Sequence, residues 1–207
     1  MSLALIVGSI LCVTPSALHS DEVFANAEST KPLKAGAAAP DASLRTLDGK
    51  SILLSEVSNG KKTALIFYRG GWCPFCNTHL KELAVVEEDL KNMGFQIVAL
   101  SPDTPESIAK MLGKTKVSYT LLSDSKAEAT KRFGIAFRVD DNTFSMYRDR
   151  FRLDLEKESG ESHHILPVPS VFLIDGKRQI RYAYSNPDYK VRLKGADILT
   201  AAKGISN

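Results

Sequence analysis

The sequence predicts an α/β protein with a mixed central sheet flanked by helices, and three observations carry that prediction. Residues 63–68 (Thr-Ala-Leu-Ile-Phe-Tyr) are apolar with no polar alternate face, as in a strand covered by helices on both sides. Residues 74–93 then place Leu80, Leu83, Leu90 and Met93 on one helical stripe, with Lys81, Glu82, Glu87, Glu88 and Lys91 elsewhere. Two Asp-Gly turns, at 48–49 and 175–176, each separate a pair of short apolar segments, the signal of a hairpin.

In chain order, residues 28–40 are rich in Ala, Lys and Pro without a period and read as a linker. Residues 43–47 and 51–54 form the first hairpin. The buried strand 63–68 ends at Gly70-Gly71. Pro74 suits the first position of the next helix, and Gly94 stands just past its end. Residues 96–100 give another strand, and Thr104-Pro105-Glu106 opens a second helix to about Leu112. A strand at 119–122 and a short helix at 125–133, closed by Gly134, follow. Residues 137–167 are less regular, with an amphipathic helix expected near 144–155. Residues 170–174 and 179–184 make the last hairpin, and 196–203 a closing helix. Strands and helices alternate through the first half and an antiparallel hairpin with a helix ends the chain. That is the thioredoxin order of elements, with an N-terminal extension and an insertion before the last hairpin.

Composition excludes several classes of function. The chain has 207 residues, 43% apolar and 25% charged, which is ordinary globular usage and excludes disorder and fibrous repeats. The net charge of +3 comes without a basic cluster, so nucleic acid is not an expected partner. The long apolar run lies at the extreme N-terminus, and no polytopic membrane protein is expected. That run, residues 3–13, suits the apolar region of a secretory signal, although no Lys or Arg precedes it. Ala25-Asn26-Ala27 is the better cleavage site and Leu18-His19-Ser20 the poorer one, so residues 1–27 are expected to leave. Export to the periplasm or the outside implies an oxidising compartment. The mature domain, 41–207, would keep two cysteines.

Those two form Cys73-Pro74-Phe75-Cys76, between a buried strand and a helix. A helix N-terminus carries unpaired N–H groups and a partial positive charge, which favour a thiolate at Cys73. Two cysteines three apart close a disulfide with little backbone movement, and either attacks a mixed disulfide formed by the other. Arg69, at the strand end, is close enough in sequence to favour the thiolate, or else is a solvated strand-end arginine. Trp72 reads as a packing and shielding residue. Pro169 stands before the strand 170–174, where the thioredoxin order implies a cis proline facing the C-x-x-C. A zinc site would need His79, His163 or His164 to complete the pair, and no metal is expected. A purely structural disulfide across so short a loop gains little. Asp188-Tyr189 and Arg192 read as local packing near the closing helix.

The chain resembles the alkyl hydroperoxide reductase/thiol-specific antioxidant (AhpC/TSA) family, in a peroxiredoxin-like branch with a C-x-x-C. The residues that carry the resemblance are Ala35-Gly36-Ala37-Ala38-Ala39-Pro40-Asp41 and Phe67-Tyr68-Arg69-Gly70-Gly71-Trp72-Cys73-Pro74-Phe75-Cys76. They continue through Ala99-Leu100-Ser101-Pro102-Asp103, Leu121-Leu122-Ser123-Asp124, Leu166-Pro167-Val168-Pro169 and Asp188-Tyr189. The resemblance implies an antioxidant thiol peroxidase, needing no cofactor, that reduces hydroperoxides and is recycled by a thioredoxin-like dithiol donor. It places Cys76 at the peroxidatic position and Cys73 where the family has threonine. Pro169 stands where the family has arginine, as in thioredoxin-like disulfide reductases. Three readings therefore stand: a peroxidase using Cys76 and resolved by Cys73, a thiol–disulfide oxidoreductase attacking through Cys73, and a non-catalytic redox or metal binding protein.

Overall fold

The computed structural model describes residues 21–205, so most of the expected signal, residues 1–20, lies outside it. A seven-stranded mixed sheet has the order β2-β1-β5-β4-β3-β8-β9. Strands β1 (Ser43–Arg45) and β2 (Ser51–Leu53) form the first hairpin around Asp48-Gly49. Strand β3 (Lys62–Phe67) pairs parallel with β4 (Phe95–Ser101) over Lys62–Phe95 to Phe67–Leu100, and β4 pairs parallel with β5 (Thr120–Ser123). On its other side β3 meets β8 (Ser170–Ile174) antiparallel, and β8 turns into β9 (Ile180–Ser185). The expected α/β architecture and the interior place of β3 are therefore present.

Successive residues of β3 face opposite cores, which is why its sequence has no polar alternate. Ala64 and Ile66 join Ile97, Ala99, Val171 and Leu173 beneath α2 (Pro74–Val85), α3 (Glu87–Asn92) and α8 (Gly195–Lys203). Leu65 and Phe67 join Val98, Leu100 and Phe172 on the other face, where Phe67, Phe133 and Phe172 pack ring to ring at 4.9–5.9 Å. Burying each such large side chain stabilises the fold by roughly 1.5–3 kcal/mol. The remaining helices are α1 (Leu54–Ser58), α4 (Pro105–Leu112), capped by Thr104, and α5 (Glu128–Arg132).

Several expectations are revised. The single helix at 74–93 breaks at Val86 (φ −98°, ψ 3°), and Glu87, Glu88 and Asp89 open a new first turn, where acidic groups are favoured. The insertion carries two helices rather than one. Asp140 caps α6 (Asp141–Phe151), Arg152 ends it in a left-handed conformation, and Asp154 caps α7 (Leu155–Ser159). Strands β6 (Ala136–Arg138) and β7 (Ile165–Pro167) form a second, two-stranded sheet.

The stretch at 28–40 is laid along the body by backbone hydrogen bonds. Lys31 N–H donates to Gly134 O, Leu33 N–H to Phe133 O, and Gly36 N–H to Ile180 O. The expected cis proline is corrected: no peptide bond among the described residues is cis. The chain runs extended from β7 into β8, with Val168 N–H donating to Ile135 O and Pro169 O accepting from Asn186 N–H.

Candidate active site

The redox loop is built where β3 gives way to α2. Tyr68 N–H donates to Leu100 O, so the strand pairing runs one residue past β3, and Arg69 follows. Gly70 has φ +149°, and a Cβ there would stand 2.2 Å from Trp72 Nε1 and 2.7 Å from Asp103 Oδ1, so the turn admits no side chain. Cys73 N–H donates to Gly70 O, closing the turn. Cys73 is the N-cap of α2, its carbonyl accepting from the N–H groups of Cys76 and Asn77, and Pro74 fills the first helical position. Asn77 Nδ2 donates back to Gly71 O at 2.9 Å.

Both cysteines are free thiols, and both are buried. Their surroundings push them apart. Cys73 is drawn below the ordinary thiol range, first by the Cys76 thiol donating a hydrogen bond to its sulfur, and further by the charges of Arg69 and Arg192. Cys76 is pushed up, first by complete burial and then by the neighbouring Cys73. These surroundings favour the proton on Cys76 and the thiolate form at Cys73. Cys73, and not Cys76, lines a groove of about 460 Å³, together with Trp72, Phe75, Tyr147, Phe151, Leu153 and Tyr189.

Two guanidinium groups face this centre. Arg69 is buried, donates to the Tyr147 hydroxyl at 2.6 Å, and lies over the rings of Tyr189 (4.2 Å) and Trp72 (5.1 Å). It is therefore an interior cation and not a solvated strand-end residue. Arg192 donates from Nη2 to Cys76 Sγ at 3.3 Å. Among the described residues neither arginine stands within ion-pair distance of a carboxylate. Their positive charge is left to act on the sulfurs.

Behind the loop, Asp103 is almost wholly buried and accepts the Gly71 N–H at 2.6 Å, with the Trp72 indole N–H pointing to the same carboxyl. Burial pushes its pKa up to about 7. Trp72 is half-buried and tilted against Tyr147. Pro169 does not line the groove that holds Cys73. It lines a cavity of about 240 Å³ that shares Arg69, Tyr147 and Tyr189 with that groove. The histidines bond elsewhere: His79 to Leu193 O, His163 to Ser125 O and His164 to Glu156. Among the described residues no three His, Cys, Asp or Glu side chains gather as a metal site.

Sequence reasoning missed Arg192, Tyr147 and Asp103. The signal for Asp103 was its place in Ser101-Pro102-Asp103, after an interior strand. Arg192 and Tyr147 lie 116 and 78 residues from the groups they meet, and no local pattern marks them.

The site is thus a C-x-x-C at the cap of the helix that follows an interior strand of a thioredoxin-like sheet, the architecture of the redoxin class. The chain belongs to the AhpC/TSA family, whose profile matches residues 35–183. Over 104 residues it is 32% identical to peroxiredoxin Bcp of Escherichia coli (strain K12), covering 50% of this chain and 66% of that relative. Over 143 residues it is 27% identical to the chloroplastic peroxiredoxin Q of Oryza sativa subsp. japonica, covering 63% of this chain and 65% of that one. The chain thus matches just under two thirds of the length of these curated relatives. Peroxidoxin BcpB from Mycobacterium tuberculosis superposes with a TM-score of 0.64 at 20% identity, over 84% of this chain and 99% of that one. Reduced Prx3 from Vibrio vulnificus gives 0.67 at 18%, over 83% and 99%. At such identities these structures speak for the fold alone.

Proposed function

We propose that this chain is an antioxidant thiol peroxidase that reduces hydroperoxides through Cys73 and Cys76. The observation that carries this reading is the Cys73 sulfur at the N-cap of α2, lining the groove, with Arg69 and Arg192 close enough to favour its thiolate form. The Cys73 sulfur attacks the terminal oxygen of the hydroperoxide. An S–O bond forms, the O–O bond breaks, and the alcohol or water leaves with a proton, giving a sulfenic acid. Cys76 then attacks that sulfur, water leaves, and a Cys73–Cys76 disulfide forms. A thioredoxin-like dithiol donor returns the pair to thiols by exchange, its own two sulfurs ending as a disulfide. Family position would make Cys76 the attacker. Position on the groove and the surrounding charge favour Cys73.

Trp72 is the single tryptophan of the chain and neighbours Cys73, so its fluorescence reports oxidation. Stopped-flow mixing of the reduced protein with hydrogen peroxide is expected to give a change whose rate rises linearly with peroxide. A response to insulin or a mixed disulfide, with none to peroxide, would replace this reading by thiol–disulfide exchange. That second reading has its own support in the apolar, aromatic wall of the groove at Cys73, formed by Trp72, Phe75, Tyr147, Phe151 and Tyr189.

Export is part of the proposal, and the packing of the first described residues refines where processing falls. Phe24 is buried, its N–H donates to Ala136 O and its carbonyl accepts from Arg138 N–H, both at 2.9 Å. Phe24 thereby adds a bridge beside β6. Cleavage after Ala27 would remove it, so the exported chain is expected to begin at or before Asp21. N-terminal sequencing of periplasmic or secreted protein checks this, and a start at Glu28 would reject it.

A further inference from the structure

His79 lies one turn along α2 from Cys76, on the same buried face. Its Nε2 stands 3.0 Å from Leu193 O, a contact across 114 residues of chain, so the ring is the tautomer with its proton on Nε2. Burial first, and then the nearby Arg192 charge, keep the imidazole neutral, with its pKa lowered to about 4. The residue before Leu193 is Arg192, whose Nη2 meets Cys76 Sγ at 3.3 Å. That guanidinium makes one further hydrogen bond among the described residues, a long one of 3.5 Å from Nη1 to the carbonyl of Val191, and its buried Nε has no partner. Beyond the sulfur, the side chain's own contacts are weak anchors. Its place therefore depends on the backbone at 192–193, which is held to α2 by the buried Leu193 side chain and by the His79 hydrogen bond.

We propose that His79 is a positioning residue for Cys76: by anchoring Leu193 on α2 it keeps the Arg192 guanidinium against the sulfur and so eases loss of the Cys76 proton. This role rests on the dithiol reading and is the same whichever molecule oxidises Cys73. Cys76 must become a thiolate to resolve an oxidised Cys73, and it leaves as a thiolate when the disulfide is reduced. In its resting state it is buried and protonated. An opposite charge at this range lowers a pKa by about 1–3 units.

The test uses the full chain with Cys73→Ser, which removes the coupled thiol, and reads iodoacetamide labelling of the Cys76 peptide by mass spectrometry against pH. His79→Phe in that background is expected to move the labelling profile to higher pH, a roughly tenfold loss of rate at a fixed pH below the midpoint. His79→Gln, which keeps an N–H donor, is expected to recover much of the rate. Arg192→Met is expected to give the same loss, and His79→Phe added to it no further loss, because both act through one contact. An unchanged profile in His79→Phe, or losses that add in the double variant, would overturn the proposal. Should His79→Phe lose its near-ultraviolet circular dichroism, His79→Leu takes its place under the same demands. No peroxide enters the measurement, so a failure of the peroxidase reading leaves the result intact.

Discussion

Cys73→Ser is expected to bring peroxide consumption down to the uncatalysed background, a loss of about 10⁶-fold for an enzyme at the low end of catalytic power. A hydroxyl at that position has neither the acidity nor the nucleophilicity of the thiolate that Arg69, Arg192 and the Cys76 S–H stabilise. Cys76→Ser is expected to behave differently. It should consume one equivalent of peroxide, accumulate a sulfenic acid at Cys73 that dimedone traps, and fail to turn over, because the resolving thiol is gone. The measurements are peroxide consumed per protein and the mass of the labelled Cys73 peptide. The reverse pattern, with the trapped sulfenic acid at Cys76, would give the attacking role to the buried cysteine, as its position in the family implies. Full turnover in both variants would discard the dithiol mechanism and leave the binding-protein reading in front.

The second large effect concerns stability against pH. Asp103 has its pKa raised from 3.8 to about 7 by burial, against the lowering effect of the Gly71 N–H. A carboxyl that binds its proton more tightly when folded stabilises the native state fully below pH 3.8. That contribution is lost as pH rises through about 7. The span of some three units corresponds to at most about 4 kcal/mol, at 1.36 kcal/mol per unit. Asp124, raised to about 6 and likewise fully buried, acts in the same direction over a shorter range, and His79, lowered to about 4, acts in the opposite one. The Asp103 contribution is therefore best isolated as a difference. Asp103→Asn measured against the parent by urea unfolding is expected to gain relative stability steadily from pH 4 to 8, by up to about 4 kcal/mol. A constant offset across that range would show that Asp103 is ionised throughout in the native state.

Asp103 also illustrates where the sequence stopped being legible. Its place after an interior strand was readable, but its burial against Gly71 and Trp72 was not. The carboxyl meets a loop 32 residues earlier in the chain. Pro169 shows the opposite case. The order of elements was read correctly, and the cis bond inferred from it was wrong, because the run from β7 into β8 stays extended and pairs with Ile135 and Asn186. The insertion was read as one helix because apolar spacing was followed past the caps. Asp140 and Asp154 each accept backbone N–H groups and start separate helices.

By itself the sequence determined the local features: the buried strand, the glycine break, the cysteine pair at a helix start and the two Asp-Gly hairpins. Each rests on residues within a few positions of one another, where periodicity and turn chemistry act directly. The tertiary structure alone decided which charges reach the sulfurs. Arg192 arrives on a loop before α8, Tyr147 on an insertion helix, and the bridge at Phe24 from a stretch that reads as the end of a secretory signal. A guanidinium is flexible, and its identity says nothing of its neighbours. Only the packing of α8 and the 186–194 loop against α2 sets its distance from Cys76, and electrostatic effects on a thiol fall off too steeply with distance to be read without it.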